Sequence, residues 1–133
     1  MKVLDRKIDF VMFVSVKNAN PNGDPLNGNI PRTDYDGFGE ISDVCIKRKV
    51  RNRMQDLGEP IFVQSNDRLD DGFTSLESRF ENEFDKKVPD QEVFTRSCAK
   101  WIDVRSFGQV MTFQKRSIGI RGPVSISIAR SLS

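Results

Sequence analysis

The chain has 133 residues, 37% of them apolar and 30% charged, with 21 lysines and arginines against 19 acids for a formal net charge of +2. That is the composition of a single domain with a core of its own, not of a disordered segment. Histidine is absent, which excludes a Ser-His-Asp or Cys-His catalytic pair and every histidine-containing zinc site.

No apolar run reaches the roughly 20 residues of a membrane helix, and the opening MKVLDRKIDF is too charged for a secretory leader, so a cytoplasmic protein is expected. Cys45 and Cys98 lie far apart with no C-x-x-C spacing and read first as two buried thiols, with a lone disulfide or a metal site as the alternatives. The near-neutral total conceals an uneven spread: residues 67–92 hold nine acids against four bases, and residues 93–133 seven bases against one acid. A polarised molecule is the expectation.

In RKIDFVMFVSVK, residues Ile8, Phe10, Met12, Val14 and Val16 alternate onto one face while Val11 and Phe13 take the other, the pattern of a strand covered on both sides and central in its sheet. It delivers Lys17 and Asn18 to NPNGDPLNGNIPRTD, Asn20 to Asp34. Three prolines that fix φ and several Gly and Asn that tolerate positive φ make this stretch an irregular loop. Connections longer than about 12 to 15 residues are uncommon in compact domains unless they carry function.

Ser42 then caps a predicted helix whose Ile46, Val50, Met54 and Leu57 follow helical spacing and which Gly58 and Pro60 end. It carries Lys47, Arg48, Lys49, Arg51 and Arg53, with Lys47 and Arg51 projecting beside the apolar stripe on one flank and Lys49 and Arg53 on the other. PIFVQS, Pro60 to Ser65, reads as a short strand.

Thr74 and Glu77 form a T-x-x-E capping box ahead of a stripe of Phe73, Leu76, Phe80 and Phe84, and Asp90 caps a helix whose Phe94, Cys98, Trp101 and Ile102 share a face. After Gly108, QVMTFQ and PVSISIA read as strands separated by the basic turn KRSIGIRG.

A loop rich in Gly and Asn, with many free backbone N–H groups, leading into the positive end of a basic helix suits phosphate oxygens. No G-x-x-x-x-G-K-[ST] is present, and GIRG is too short for a dinucleotide fingerprint. Asp34 and Asp36 in DYDG open like a calcium loop, but Phe38 and Cys45 occupy the fifth and twelfth positions and the spacing fails. Asp24 reads first as a turn residue and second as a general base or Mg²⁺ ligand. Bases with little aromatic interleaving favour binding of a polynucleotide through its phosphates.

FVSVKNANPNGDPLNGNIPRTD, DVCIKRKVRNRM, DVRSFG (Asp103 to Gly108) and GIRGPVSIS (Gly119 to Ser127) together resemble the type I-C CRISPR-associated backbone protein, the Cas-seven family subunit of the Cascade surveillance complex. The resemblance implies an α+β fold with an RNA-recognition-motif-like, ferredoxin-type palm, a fingers insertion over about 67–102 and a protruding thumb hairpin over about 108–123, all within one domain. It implies a non-enzymatic role with no cofactor and no metal. The partners would be CRISPR RNA, target DNA reached through the guide, other copies of the chain and other Cascade subunits.

Carried to this sequence, the family pattern points to Lys17, Asn18 and Arg32 around the loop and to Lys47 and Arg51 on the helix; Lys49, Arg53 and Arg121 complete the candidate RNA-binding set. Related backbone proteins of other CRISPR types cleave RNA with a loop aspartate, which makes a metal-dependent endoribonuclease using Asp24 the alternative. A ferredoxin-type palm needs two β-α-β halves, and the second core helix and closing strand are not found in these residues. An incomplete palm, the N-terminal part of a longer pattern, is therefore expected.

Overall fold

The computed structural model describes residues 3–132. The class is mixed α+β, as the sequence predicts, with the chain running β1 (Gly23–Asp24), β2 (Ile30–Pro31), β3 (Glu40–Ile41), α1 (Asp43–Asp56), α2 (Leu76–Glu83), α3 (Asp90–Lys100), α4 (Ile102–Phe107), β4 (Gly108–Met111), β5 (Ile118–Arg121) and β6 (Ala129–Arg130). The strands form three antiparallel pairs, β1 with β2, β3 with β6 and β4 with β5.

The core lies in the middle of the chain, where Phe62, Phe80, Phe84, Val93, Trp101, Val104, Met111, Ile118 and Ile120 are buried together. The Phe62 ring centroid sits 4.6 Å from Trp101, and Phe80 lies 4.9 Å from Phe84 and 5.1 Å from Phe113. Tilted rings at these separations fill space without stacking face to face, and each large apolar side chain so buried contributes about 1.5 to 3 kcal/mol.

Two helices start one residue away from where the sequence places them. Ser75, not Thr74, is the N-cap of α2, and Ser78 returns the second bond of the capping box. The predicted stripe survives this shift, with Phe80 and Phe84 buried and Phe73 and Leu76 half-buried. In α3, Pro89 occupies the cap position and Asp90 is already helical. The buried face is then Val93, Ser97 and Trp101, leaving Phe94 at the surface and Cys98 half-buried. Both cysteines are free, and burial pushes the Cys98 thiol up.

KRSIGIRG is not a turn: Ile118 and Ile120 alternate inward with Gly119 and Arg121 outward, and this strand pairs with Gly108–Met111 from Gly108↔Arg121 to Met111↔Ile118. One face of the hairpin lays Met111, Ile118 and Ile120 into the core, and Val110 stays exposed. Its junction with α4 is tight. Gly108 has φ +81, and a Cβ there would meet the Ile120 carbonyl, while a Cβ on Gly122 would meet the Ser106 carbonyl and the Gly108 nitrogen.

PIFVQS forms no strand because its partners are side chains: the Phe62 and Val63 N–H groups donate to the Asp103 carboxylate at 2.8 and 3.0 Å. In PVSISIA only Ala129 joins a ladder, pairing with Ile41. The segment Ile8 to Val16 also forms no ladder among the described residues, and neither face is covered, with Phe10 61% and Phe13 81% exposed. Residues Ile8 to Met12 line one groove with Ile46 of α1 and Ser125 to Ala129. A strand exists only through a hydrogen-bonded neighbour, so alternation alone does not produce one.

Unpaired backbone and exposed apolar side chains favour association. These 133 residues purified alone are expected to scatter light as particles larger than a monomer; a monodisperse monomer would show the apolar stretch to be sheltered. At the hairpin junction, Gly122→Ala should destabilise by about 1 to 3 kcal/mol through overpacking. Gly119→Ala, where a Cβ meets nothing within 4 Å, should stay within about 0.5 kcal/mol. Paired urea melts of the two variants check this, and equal midpoints would contradict it.

Candidate nucleic-acid interface

The loop ahead of α1 is ordered by its own polar residues and carries β1 and β2. The Ser42 N–H donates to Asn22 Oδ1 at 2.8 Å, the Arg32 N–H to the Asn22 carbonyl at 2.9 Å, and the Cys45 thiol to the Pro21 carbonyl at 3.3 Å. The loop is thereby fastened to the N-terminus of α1, which Ser42 caps through Cys45.

Asp24 organises the tip. Its Oδ1 accepts from the Leu26 N–H at 3.1 Å, and its carbonyl accepts from Asn27 and Asn29 at 3.1 and 2.8 Å. Asp34 does the same further on, Oδ1 accepting from Asp36 and Phe38 at 2.9 Å, while Arg130 pairs with Asp34 at 2.7 Å and lies 4.3 Å from the Phe38 ring centre. These aspartates are turn residues. Among the described residues no group of three or more Cys, Asp or Glu is placed to hold a metal ion.

The bases of α1 divide into two sets. Arg51 does not project to solvent beside Lys47: its Nε donates to Asp103 Oδ2 at 3.0 Å, with 12% of the Arg51 side chain and none of Asp103 exposed. Arg48 donates to the Val63 carbonyl at 2.7 Å and to Asn52 at 2.9 Å. Burial, with Arg51 alongside, lowers its pKa from the ordinary guanidinium value. Gln55 reaches the Arg68 carbonyl and Asp70 at 3.0 Å. Thus α1 docks on the aromatic core's lobe through a polar flank, and its most buried apolar side chain, Ile46, turns to the groove beside Ile8 to Met12.

The second set faces out. Lys49 is exposed, and Arg53 is 70% exposed with Asp56 no closer than 4.0 Å. Lys47 pairs with Asp43 at 3.3 Å and lies 5.8 Å from the Phe107 ring centre, above which Arg51 sits at 5.1 Å. Arg121 is exposed on β5 opposite Gly108, the residue after Phe107. Lys47 and Arg51 therefore both lie at Phe107, Arg121 is exposed on the strand paired with the residue that follows, and Lys49 and Arg53 form a separate edge. Arg32 pairs with Glu40 at 3.2 Å and is 45% exposed. Lys17 and Asn18 lie in the exposed N-terminal segment, Asn18 at φ 53.

Sequence reasoning missed Asp103, Phe107 and Arg130. The signal for Asp103 was present: it is the single acid in the basic stretch 93–133.

This is an α+β domain in which an Asn/Gly-rich loop is clipped to the start of a helix with one free basic edge. The chain belongs to the CRISPR-associated protein Cas7 family, whose family model matches residues 6–133. It is similar to the CRISPR-associated protein Cas7 of Haloferax volcanii, 38% identical over 68 residues that make up 50% of this chain and 20% of that protein. Among the described residues no helix is long and apolar enough to cross a membrane.

Arg51→Ala would leave Asp103 buried without its cation, an outcome that costs about 3 to 5 kcal/mol. Lys49→Ala combined with Arg53→Ala removes exposed groups and should change stability by no more than about 0.5 kcal/mol each. Chemical denaturation of both variants distinguishes the two sets, and an Arg51→Ala protein as stable as the parent would return Arg51 to the surface.

Proposed function

We propose that the chain is a non-enzymatic, sequence-independent RNA-binding element of a type I-C Cascade backbone subunit. Copies would stack along the CRISPR RNA and hold it open for pairing with target DNA, alongside other Cascade subunits. The chain would form part of an RNA-recognition-motif-like, ferredoxin-type palm. The observation that carries this reading is the exposed basic edge Lys49 and Arg53 on a helix whose start is clipped to the Asn20 to Asp34 loop. Lys17, Asn18, Arg32, Lys47 and Arg121 would make further contacts outside that edge; Arg51 acts by positioning the helix through Asp103.

Phosphate contacts supply affinity without reading bases, which fits a surface of Lys, Arg and backbone amides. Asp24 is given no catalytic part here, because one carboxylate oxygen and its carbonyl serve the turn they build.

Binding to guide RNA should weaken with salt, log affinity falling by about 0.7 per neutralised phosphate against log salt, and should differ little between spacers. Lys49→Ala with Arg53→Ala should shallow that slope by about one to two contacts. Filter binding across a salt series checks both; a strong spacer preference or an unchanged slope would overturn the reading. Incubating the assembled complex with Mg²⁺ and labelled complementary RNA tests the enzyme alternative, since regularly spaced cuts lost on Asp24→Ala would make the protein a nuclease.

A further inference from the structure

Two asparagines in the sequence precede glycine, Asn22 before Gly23 and Asn27 before Gly28. Both lie in the same loop, yet the fold treats them oppositely. An Asn-Gly pair can rearrange when the glycine nitrogen approaches the asparagine side-chain carbon, since no Cβ obstructs the approach. The reaction needs a free side-chain amide, an uncommitted glycine N–H and room for the ring to close.

At Asn22 the side chain is held at both ends: Oδ1 accepts from Ser42 at 2.8 Å, and Nδ2 donates to the Gly23 carbonyl at 3.2 Å. Gly23 belongs to β1, and the Asn29 side chain fills the space beside it. At Asn27 the side chain makes no hydrogen bond among the described residues, and only its backbone N–H and carbonyl are engaged, with Asp24 and Ile30 at 3.1 and 3.3 Å. The Gly28 N–H has no acceptor among the described residues; the residue is exposed at φ +62, and a Cβ placed on it would meet nothing within 4 Å.

We propose that Asn27 is a site of spontaneous deamidation and that Asn22, one turn earlier, is protected by its bonds to Ser42 and Gly23. In the first step the Gly28 nitrogen gives its proton to hydroxide and bonds to Asn27 Cγ. The Cγ–Nδ2 bond breaks, and ammonia leaves with a proton from water, which restores the hydroxide. In the second step water adds to either carbonyl of the five-membered imide and one ring C–N bond opens, yielding aspartate or isoaspartate. The sum is asparagine plus water to the acid plus ammonia. The loop tip, which already carries the Asp24 carboxylate, gains a second negative charge.

The test is to age the purified chain at mildly alkaline pH and sequence the tryptic peptide Asn18–Arg32 by mass spectrometry. A gain of about 1 Da, the exchange of an amide for an acid, should accumulate at residue 27 several-fold faster than at residue 22. In urea the two rates should converge, and Gly28→Ala should suppress the product at 27. Equal rates in the folded chain, or no gain at 27 while the urea sample converts at both, would overturn the proposal. The charge has a consequence that rests on the RNA-binding reading above: Asn27→Asp should elute from immobilised guide RNA at lower salt than the parent. If the variant elutes with the parent, that consequence is overturned while the mass result still decides the modification.

Discussion

The Asp103 carboxylate holds the parts of the domain in register. It is fully buried and accepts three hydrogen bonds, from the Phe62 and Val63 N–H groups and from Arg51 Nε, at 2.8, 3.0 and 3.0 Å. A buried carboxylate is tolerated only when its lone pairs are satisfied and its charge is met. Here the donors come from α1 and from the segment Pro60 to Ser65, while the acceptor sits on α4. Arg79 completes the arrangement from the other side, pairing with Asp71 at 2.9 Å and donating to the Phe62 carbonyl at 3.0 Å. Both backbone groups of Phe62 are thus bound by ionic side chains, which lets its ring occupy the centre of the core without a neighbouring strand.

Internal pairing of charge also removes the polarity that the linear sequence suggests. Bases from the C-terminal third fold back onto the acids of the middle: Arg96 reaches Glu83 at 2.9 Å and Glu92 at 3.2 Å, Lys100 pairs with Glu83, and Arg116 meets Asp90 at 2.6 Å. For Glu83, burial pushes the pKa up, but hydrogen bonds from Lys100 and Arg96 outweigh it, so the group is held below the usual carboxylate range. Arg116 also donates to the Val88 carbonyl at 2.6 Å, tying the α2–α3 connection to the turn after β4. With these charges paired internally, the exposed lysines and arginines that keep no ion pair among the described residues are Lys17, Lys49, Lys86, Lys87, Arg105, Lys115 and Arg121.

Local signals were legible where the cause is local. Ser42 caps α1 as read, and the Phe80 and Phe84 stripe is core, because a cap and a helical period need only a few neighbouring residues. What escaped was set by distant partners. The alternation in Ile8 to Val16 is real, but no ladder accompanies it, and the destination of Arg51 depends on an acid 52 residues away. The strand Ile118–Arg121 was misread although its period of two was visible, since Lys, Arg and Gly around it carry the composition of a turn. Part of DVRSFG and GIRGP has a structural reason to exist: Asp103 is the buried acceptor, and Gly108 and Gly122 permit two backbones to meet at the hairpin junction.

The candidate interface follows from how α1 is held. One flank, with Arg48, Arg51 and Gln55, is bonded to the lobe; Ile46 turns to the groove beside the N-terminal segment; Ser42 and Asn22 fix the helix start. With one flank bonded and the start fixed, Lys49 and Arg53 lie on the helix's exposed face four residues apart, about one turn or 5 to 6 Å between neighbouring positions. That spacing is near the distance between successive phosphates of an extended strand, so the pair can meet a backbone without requiring any particular base. The loop ahead of it is held in one shape, because Asn22, Asp24 and Asp34 each commit a side-chain oxygen to backbone N–H groups. The function proposed for this surface therefore depends less on the number of bases in the sequence than on which of them the fold leaves unpaired.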